Sequence, residues 1–306
     1  MITYILIFLV SITILLIASD KFVDSAEKIG LSLGIPSFII GVTIVAFGTS
    51  LPELATSIAA VYSGSSEIVI GNVVGSNITN ILLVLGAAAI FGKGIRIDYD
   101  VMNVDMPMLI ASSFFLYFII VDFHVSTIEC VLLFAALVIF LSNSFTTKSD
   151  EEDLNITSKP LDYVILIIAG VLVYFSADYT IYGMKNIAIL ANIPTHVIAI
   201  TAVALGTSLP EVIVSINAAK KGKHGIAVGN VLGSNLFNTY AVISIPGLLG
   251  DLKIPSETMQ FSIPFMIIMT ILFAIMTISK RISMWEGFLL LLFYVFFISN
   301  LLDNQL

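Results

Sequence analysis

Long apolar runs separated by short polar segments dominate the chain. Most of the runs are close to the roughly 20 residues that an α-helix needs to cross the hydrocarbon core of a bilayer. They cover residues 2–19, 36–62, 67–91, 104–121, 126–142, 161–177, 194–219, 225–249, 259–279 and 284–302. Hydrophobic residues make up 58% of the chain and charged residues 11%, whereas about a quarter of the residues of soluble domains are charged. The chain is therefore predicted to be an all-α integral membrane protein with ten transmembrane helices.

The ten runs form two groups of five, separated by a polar linker at residues 143–160. An odd number of spans in each half makes the second half enter the membrane from the opposite side. We therefore predict two inverted five-helix repeats, at residues 1–142 and 161–306, joined by a cytoplasmic linker.

The basic residues indicate the orientation of the chain. If both termini are extracytoplasmic, the inner loops hold eleven of the thirteen basic residues, and only Lys185 and Lys253 lie on the other side. The eleven are Lys21, Lys28, Lys93, Arg96, Lys148, Lys159, Lys220, Lys221, Lys223, Lys280 and Arg281. Because basic residues concentrate in cytoplasmic loops, we predict a multi-pass protein of the cell membrane with both termini outside. The net charge of −8 argues against a nucleic-acid partner.

A polar motif inside the apolar runs occurs twice. The sequence GTSLPE at residues 48–53 returns at residues 206–211, and GNVVGSN at 71–77 returns as GNVLGSN at 229–235. Asn80 is matched by Asn238, and the offset is constant, since 211 − 53 and 238 − 80 both equal 158. Internal repeats in a hydrophobic chain are typical of transporters whose site lies between two halves.

The first part of each motif points to a cation site. A proline inside a helix frees the carbonyl four residues earlier, so Pro52 and Pro210 are expected to break the second and seventh helices. Glu53 and Glu211 add carboxylates near the middle of the membrane, where an unpaired charge costs at least about 2.5 kcal/mol. Carboxylates, carbonyls and hydroxyls together favour a hard cation such as Ca²⁺ over Zn²⁺ or copper.

The second part of each motif is expected to form the opposing wall. Ser76 and Asn80, like Ser234 and Asn238, lie four residues apart and thus on one helical face. Their neutral oxygens suit Na⁺, and the glycines of the motif allow close helix packing.

The two motifs resemble the α-repeats of the cation/Ca²⁺ antiporter superfamily, most closely those of the prokaryotic sodium/calcium exchangers. The resemblance covers residues 36–91 and 194–249 and implies inverted five-helix halves, with the second, third, seventh and eighth helices around central cation sites. It implies that Glu53 and Glu211, with the backbone of Thr49 and Thr207, hold Ca²⁺. The residues that it implies for Na⁺ and for the site lining are Ala46, Ser50, Ser76, Asn80, Ala204, Ser208, Ser234 and Asn238. It also implies that the first and sixth helices slide as a pair across the other helices.

The expected function is a secondary antiporter that exports Ca²⁺ against inward Na⁺ by alternating access. No sequence of the type GxxxxGKS or GxxxxGKT is present, so a gradient and not a nucleotide should drive transport. A Ca²⁺ antiporter, or one for another divalent cation, coupled to H⁺ is the alternative. A membrane metallohydrolase is disfavoured, because His124, His196 and His224 lie away from the motifs. We therefore expect no enzyme activity and no cofactor, only Na⁺, Ca²⁺ and the lipid bilayer as partners of a functional monomer.

Overall fold

The part of the chain that the structure describes is helical apart from one short strand ladder and the connecting turns. A computed structural model describes residues 2–146, 157–190, 207–256 and 258–303. Its helices are α1 (Ile2–Ser32), α2 (Ser37–Thr49), α3 (Leu51–Tyr62), α4 (Glu67–Phe91), α5 (Asp105–Ile120), α6 (Thr127–Thr146), α7 (Pro160–Leu190), α8 (Leu209–Lys220), α9 (residues 224–249), α10 (Thr258–Ile278) and α11 (Met284–Asp303). The antiparallel ladder pairs β1 (Ile95–Arg96) with β2 (Arg281–Ile282). The middle of the predicted linker, residues 147–156, and the first part of the seventh run, residues 194–206, lie outside the described residues.

Most predicted helix limits agree with the structure to within a few residues, but two are wrong. The first and sixth helices were expected to end near residues 19 and 177, and they continue to Ser32 and Leu190. Apolar length marks only the part of a helix that meets hydrocarbon. The extra turns of α1 carry charged side chains, and the charges of Asp20 and Asp24 are paired with Lys221.

Six of the described helices are long and apolar enough to cross a membrane, and the bent pair α2 and α3 makes a seventh candidate. Helix α5, with 16 residues, is apolar but shorter. The described residues thus establish a multi-span membrane protein, and this count does not reach the ten predicted spans.

Equivalent helices in the two halves share their limits. Helix α3 (Leu51–Tyr62) and helix α8 (Leu209–Lys220) differ by 158 at both ends. The sequence repeat is therefore also a repeat of structure in the described parts of the two halves.

Helices α1 and α7 pack against each other in antiparallel directions. The hydroxyl of Thr180 donates to Ser11 at 3.0 Å, and Lys28 contacts Asp162 at 2.8 Å. Residues early in α1 thus meet residues late in α7, and the reverse holds at the other end. These two equivalent helices consequently run in opposite directions.

Small residues bring α9 close to α2. A Cβ atom added at Gly229 would lie 2.3 Å from the carbonyl oxygen of Phe38, and one added at Gly233 would lie 2.2 Å from that of Val42. Glycine has no Cβ, so the two backbones can approach to this distance. The predicted role in close helix packing is confirmed for the glycines of the second motif, Gly229 and Gly233. At the equivalent glycines of the first motif, Gly71 and Gly75, no described heavy atom lies within 4 Å of an added Cβ atom.

Candidate cation site

The first motif lies at a break between two helices. Helix α2 ends at Thr49, α3 begins at Leu51, and the two are bent by 40°. Ser50 between them has φ −89° and ψ 6°, close to the values of −87° and 6° at Ser208, which precedes α8. Both halves therefore use the sparsely populated bridge region of the backbone at the same position.

The predicted break of the second helix is confirmed, and Pro52 and Pro210 lie in the first turn of the helices that follow these serines. Pro52 and Pro210 are each the second residue of α3 and α8. A first-turn N–H has no partner within a helix, so a proline costs little there. Each proline therefore starts a new helix and places the glutamate that follows in the first turn, at Glu53 and Glu211.

Six buried side-chain oxygens have no hydrogen-bond partner among the described residues. They are both carboxylate oxygens of Glu53, Oε2 of Glu211, Oδ1 of Asn80, Oδ1 of Asn238 and Oγ of Ser208. No other buried side-chain nitrogen or oxygen in the described part of the chain lacks a partner. Since buried polar atoms are nearly always hydrogen-bonded, five acceptor oxygens and one hydroxyl without partners indicate a site for a cation.

The two carboxylates carry the charge of this cluster. Glu53 and Glu211 are fully buried, and neither forms an ion pair with a described basic residue. Ser50 donates to Glu211 Oε1 at 3.1 Å, which ties the break in the first half to the glutamate of the second. A buried carboxylate is costly unless it is paired or coordinates a metal ion. One divalent cation or two monovalent cations would balance the two charges.

Hydrogen bonds cross between the halves in matched pairs. The hydroxyl of Thr49 donates to Asn230 at 3.1 Å, and the hydroxyl of Thr207 donates to Asn72 at 3.3 Å. Adding 158 to Thr49 and to Asn72 gives Thr207 and Asn230, so the two bonds are equivalent in the two halves. Asn72 also donates to the carbonyl oxygen of Glu53 at 3.2 Å, so these amides connect the threonines to the glutamate-bearing helices.

The two serines of the opposing wall contact the same threonines. The hydroxyls of Ser76 and Thr207 are 3.3 Å apart, and those of Ser234 and Thr49 are 3.5 Å apart. Of the eight residues predicted for Na⁺ and for the site lining, seven are described, and Ala204 lies outside the described residues. Ala46 is buried, and its carbonyl oxygen accepts from Thr49 Oγ1 at 3.3 Å.

The two lining asparagines each begin a π-helical turn. These turns cover Asn80–Val84 in α4 and Asn238–Val242 in α9. π-Helical turns are rare and are often found at functional sites. They were not predicted, because the sequence contains no local signal for them.

Four further asparagines belong to the site and were quoted in the motif without a role. They are Asn72, Asn77, Asn230 and Asn235. Their recurrence at the offset of 158 is the signal that could have identified them, since 230 − 72 and 235 − 77 equal 158. No group of three or more His, Cys, Asp and Glu residues that could hold a metal ion occurs among the described residues. Neutral oxygens must therefore supply most of any coordination.

A family comparison identifies the chain. The model of the sodium/calcium exchanger protein family matches residues 3–146 and 161–302. The chain belongs to this family. The matched segments include the whole described site, so the sodium/calcium exchanger family is the context in which its geometry is interpreted.

Individual relatives agree with this assignment. The chain is 34% identical over 299 residues to membrane protein MJ0091 of Methanocaldococcus jannaschii, with 96% of each chain covered. It is 34% identical to the sodium/calcium exchanger MaX1 of Methanosarcina acetivorans, with 96% of this chain and 97% of the relative covered. A structure of the sodium-calcium exchanger NCX_Mj soaked with Na⁺ and Ca²⁺ superimposes with a TM-score of 0.86 at 33% identity, with 98% of both chains covered.

Proposed function

We propose that this member of the sodium/calcium exchanger family is an antiporter that exchanges Na⁺ for Ca²⁺ across the cell membrane. The observation that carries the proposal is the set of six buried oxygens without partners, contributed by both halves and including two carboxylates. Five of these oxygens are carboxylate or amide acceptors, and the sixth is the Ser208 hydroxyl, which can also accept. Such a set suits a cation better than an anion. Oxygen ligands of this kind are those that Ca²⁺ prefers.

The charge of the site supports exchange between the two ions. Glu53 and Glu211 supply two negative charges, which one Ca²⁺ balances, as do two Na⁺. We assign Ca²⁺ to these carboxylates and to the backbone of Thr49 and Thr207. The residues assigned to Na⁺ and to the lining are Ala46, Ser50, Ser76, Asn80, Ala204, Ser208, Ser234 and Asn238. The driving ion is Na⁺ moving inward, and Ca²⁺ is extruded.

The ten-helix inverted repeat is the finer architecture that we propose for this function. It is supported by the shared helix limits at the offset of 158 and by the antiparallel packing of α1 on α7. The basic residues around β1, β2 and the start of α9 lie at one end of the bundle, where Arg96 N–H donates to His224 at 3.2 Å. This end faces the cytoplasm, and both termini are extracytoplasmic.

The orientation is tested with single cysteines in a variant without Cys130, which is the only cysteine. Leu33 follows α1, and Tyr62 ends α3; both are exposed. In intact cells, an impermeant thiol reagent is expected to label Tyr62→Cys and not Leu33→Cys. The reverse pattern would contradict the proposed orientation.

The function is tested by ⁴⁵Ca²⁺ uptake into proteoliposomes loaded with Na⁺ or with choline, at equal pH and then across a pH gradient. Uptake is expected to require internal Na⁺ and to be lost in Glu53→Gln and in Glu211→Gln, because the site then carries one charge fewer. The control is Glu67→Gln, whose side chain is exposed in the first turn of α4. Uptake that follows the pH gradient and ignores Na⁺ would replace the proposal by H⁺ coupling. Full uptake in either glutamine variant would exclude this site.

A further inference from the structure

We infer that Asn77 and Asn235 are positioning residues that turn the carbonyl oxygens of the two lining asparagines toward the cation. The inference rests on the proposed function and concerns how the same site acquires its oxygens. It starts from a chemical ambiguity of asparagine, whose side chain ends in an acceptor on one branch and a donor on the other. Only one of its two orientations is useful to a cation.

The structure shows how each lining asparagine is held in the useful orientation. Asn80 Nδ2 donates to Asn235 Oδ1 at 3.0 Å, and Asn238 Nδ2 donates to Asn77 Oδ1 at 3.1 Å. Each bond connects one half to the other. Because the NH₂ group is used in this way, Oδ1 of Asn80 and Oδ1 of Asn238 are the branches left in the partnerless oxygen cluster.

The orientation of the positioning amides is fixed in turn by a backbone carbonyl oxygen and a thioether sulfur, which can only accept. Asn235 Nδ2 donates to the backbone carbonyl oxygen of Asn77 at 3.4 Å. Asn77 Nδ2 lies 3.8 Å from the sulfur of Met266 and donates to the hydroxyl of Thr239 at 3.2 Å. Rotation of either amide would place its oxygen against a carbonyl oxygen or a thioether sulfur. The acceptor of each positioning amide is thereby directed at the lining asparagine.

The location of these residues agrees with a role in orientation and not in direct binding. Asn77 and Asn235 are nearly fully buried. Unlike Asn80 and Asn238, they have no partnerless oxygen, so their own acceptors are already in use. If the positioning acceptor is lost, the lining amide can rotate and present NH₂ to the cation, which replaces an attraction by a repulsion.

The test uses the symmetry of a carboxylate. In the Asn238→Asp variant the two side-chain oxygens are equivalent, so no partner is needed to choose between them. In the chain with Asn238, Asn77→Leu is therefore expected to weaken Ca²⁺ binding about tenfold or more, which corresponds to the loss of one hydrogen bond to a charge-bearing site. In the Asn238→Asp background, the same substitution should weaken Ca²⁺ binding much less. Equilibrium ⁴⁵Ca²⁺ binding to purified protein is the readout.

The repeat supplies a matched control. Asn235→Leu acts on Asn80, so its effect should persist in the Asn238→Asp background. Asn77→Asp keeps the acceptor and should retain Ca²⁺ binding close to that of its parent, and Asn77→Ala replaces the leucine variant in the cycle if that variant does not fold. An equal loss of binding from Asn77→Leu in both backgrounds, or a full loss in Asn77→Asp, would overturn the inference. If the wild type binds Ca²⁺, such a result contradicts the inference alone. If the wild type does not bind Ca²⁺, both the proposed function and the inference are contradicted.

Discussion

Each half of the site places the same residue types in almost the same surroundings, and one hydroxyl breaks the symmetry. Ser50 donates to Glu211 at 3.1 Å, whereas Ser208 and both oxygens of Glu53 have no partner among the described residues. The direct hydrogen bond from the serine at a helix break therefore reaches only Glu211.

The candidate residues of the site were predicted from the repeat, but their orientation could not be. Glu53 and Asn80 lie in an apolar context and recur at a fixed offset, which marks them as functional. The role of Asn77 depends on contacts with Asn238, 161 residues away, and on the sulfur of Met266. Such contacts arise from tertiary packing, and a single sequence does not contain them.

At the scale of helices, the walls of the site are held together by direct backbone contact. Helix α9 meets α2 at Gly225, Gly229 and Gly233, and α2 ends at Thr49 beside the site. At Gly229 and Gly233 the crossing leaves no room for a side chain. The two helices are consequently held in backbone contact beside the site.

A methyl group at this crossing should separate the two helices. The Cβ of Gly229→Ala would lie 2.3 Å from the Phe38 carbonyl oxygen, and backbone atoms cannot move aside as a side chain can. We expect a loss of about 1–3 kcal/mol in stability, typical of overpacking, together with weaker Ca²⁺ binding. Thermal unfolding in detergent and ⁴⁵Ca²⁺ binding measure the two effects.

Gly225→Ala is the control on the same helix. Its Cβ would lie 3.1 Å from the nearest atom, the backbone nitrogen of Phe38, so a small shift suffices. This variant should therefore be close to the wild type in stability. If Gly225→Ala and Gly229→Ala lower the unfolding temperature equally, the close approach at Gly229 is not what limits the structure.

Helix limits show why the prediction of elements from sequence succeeds and where it stops. Helix α4 was predicted at residues 67–91, and the structure has the same limits. The prediction succeeds because Ser66 lies just before the apolar run and Gly92 just after it. Helix α1 extends beyond its apolar run as far as Ser32. Its charged turns are stabilised by lysines from the other half of the chain, which its own sequence does not show.

At the scale of the molecule, those charged turns make the two halves unequal. Lys221 contacts Asp20 at 2.5 Å, and Lys223 contacts Asp24 at 2.5 Å and Glu27 at 2.8 Å. Burial lowers the pKa of Lys221, but hydrogen bonds to Asp20 and Asp24 outweigh it and raise the pKa above its ordinary value. Folding stability from this lysine is thus present at neutral pH and is lost only as the pH rises through the raised pKa.

The equivalent contact in the other half lacks these charges. Subtracting 158 from the two lysine positions gives Ser63 and Ser65, and the described residues show no ion pair between this segment and α7. If α1 and α7 slide as a pair during exchange, an inverted repeat interchanges the two contacts. The ion pairs are then made in one conformation and have no counterpart in the other, so they should favour the conformation described here.

Removal of both lysines tests this bias. Lys221→Ala with Lys223→Ala eliminates all four ion pairs of the cluster, and Ser63→Ala with Ser65→Ala is the repeat-matched control. Exposed ion pairs contribute about 0.2–1 kcal/mol each, so the lysine variant should shift the ratio of the two conformations several-fold, as should high salt in the wild type.

Spin-label distances between Leu33→Cys and Tyr62→Cys, in a chain without Cys130, report that ratio. The lysine variant should show a second population of distances that the serine variant lacks, because only the lysines form ion pairs in one of the two conformations. Identical distance distributions in both variants would mean that the ion pairs stabilise α1 equally in both conformations.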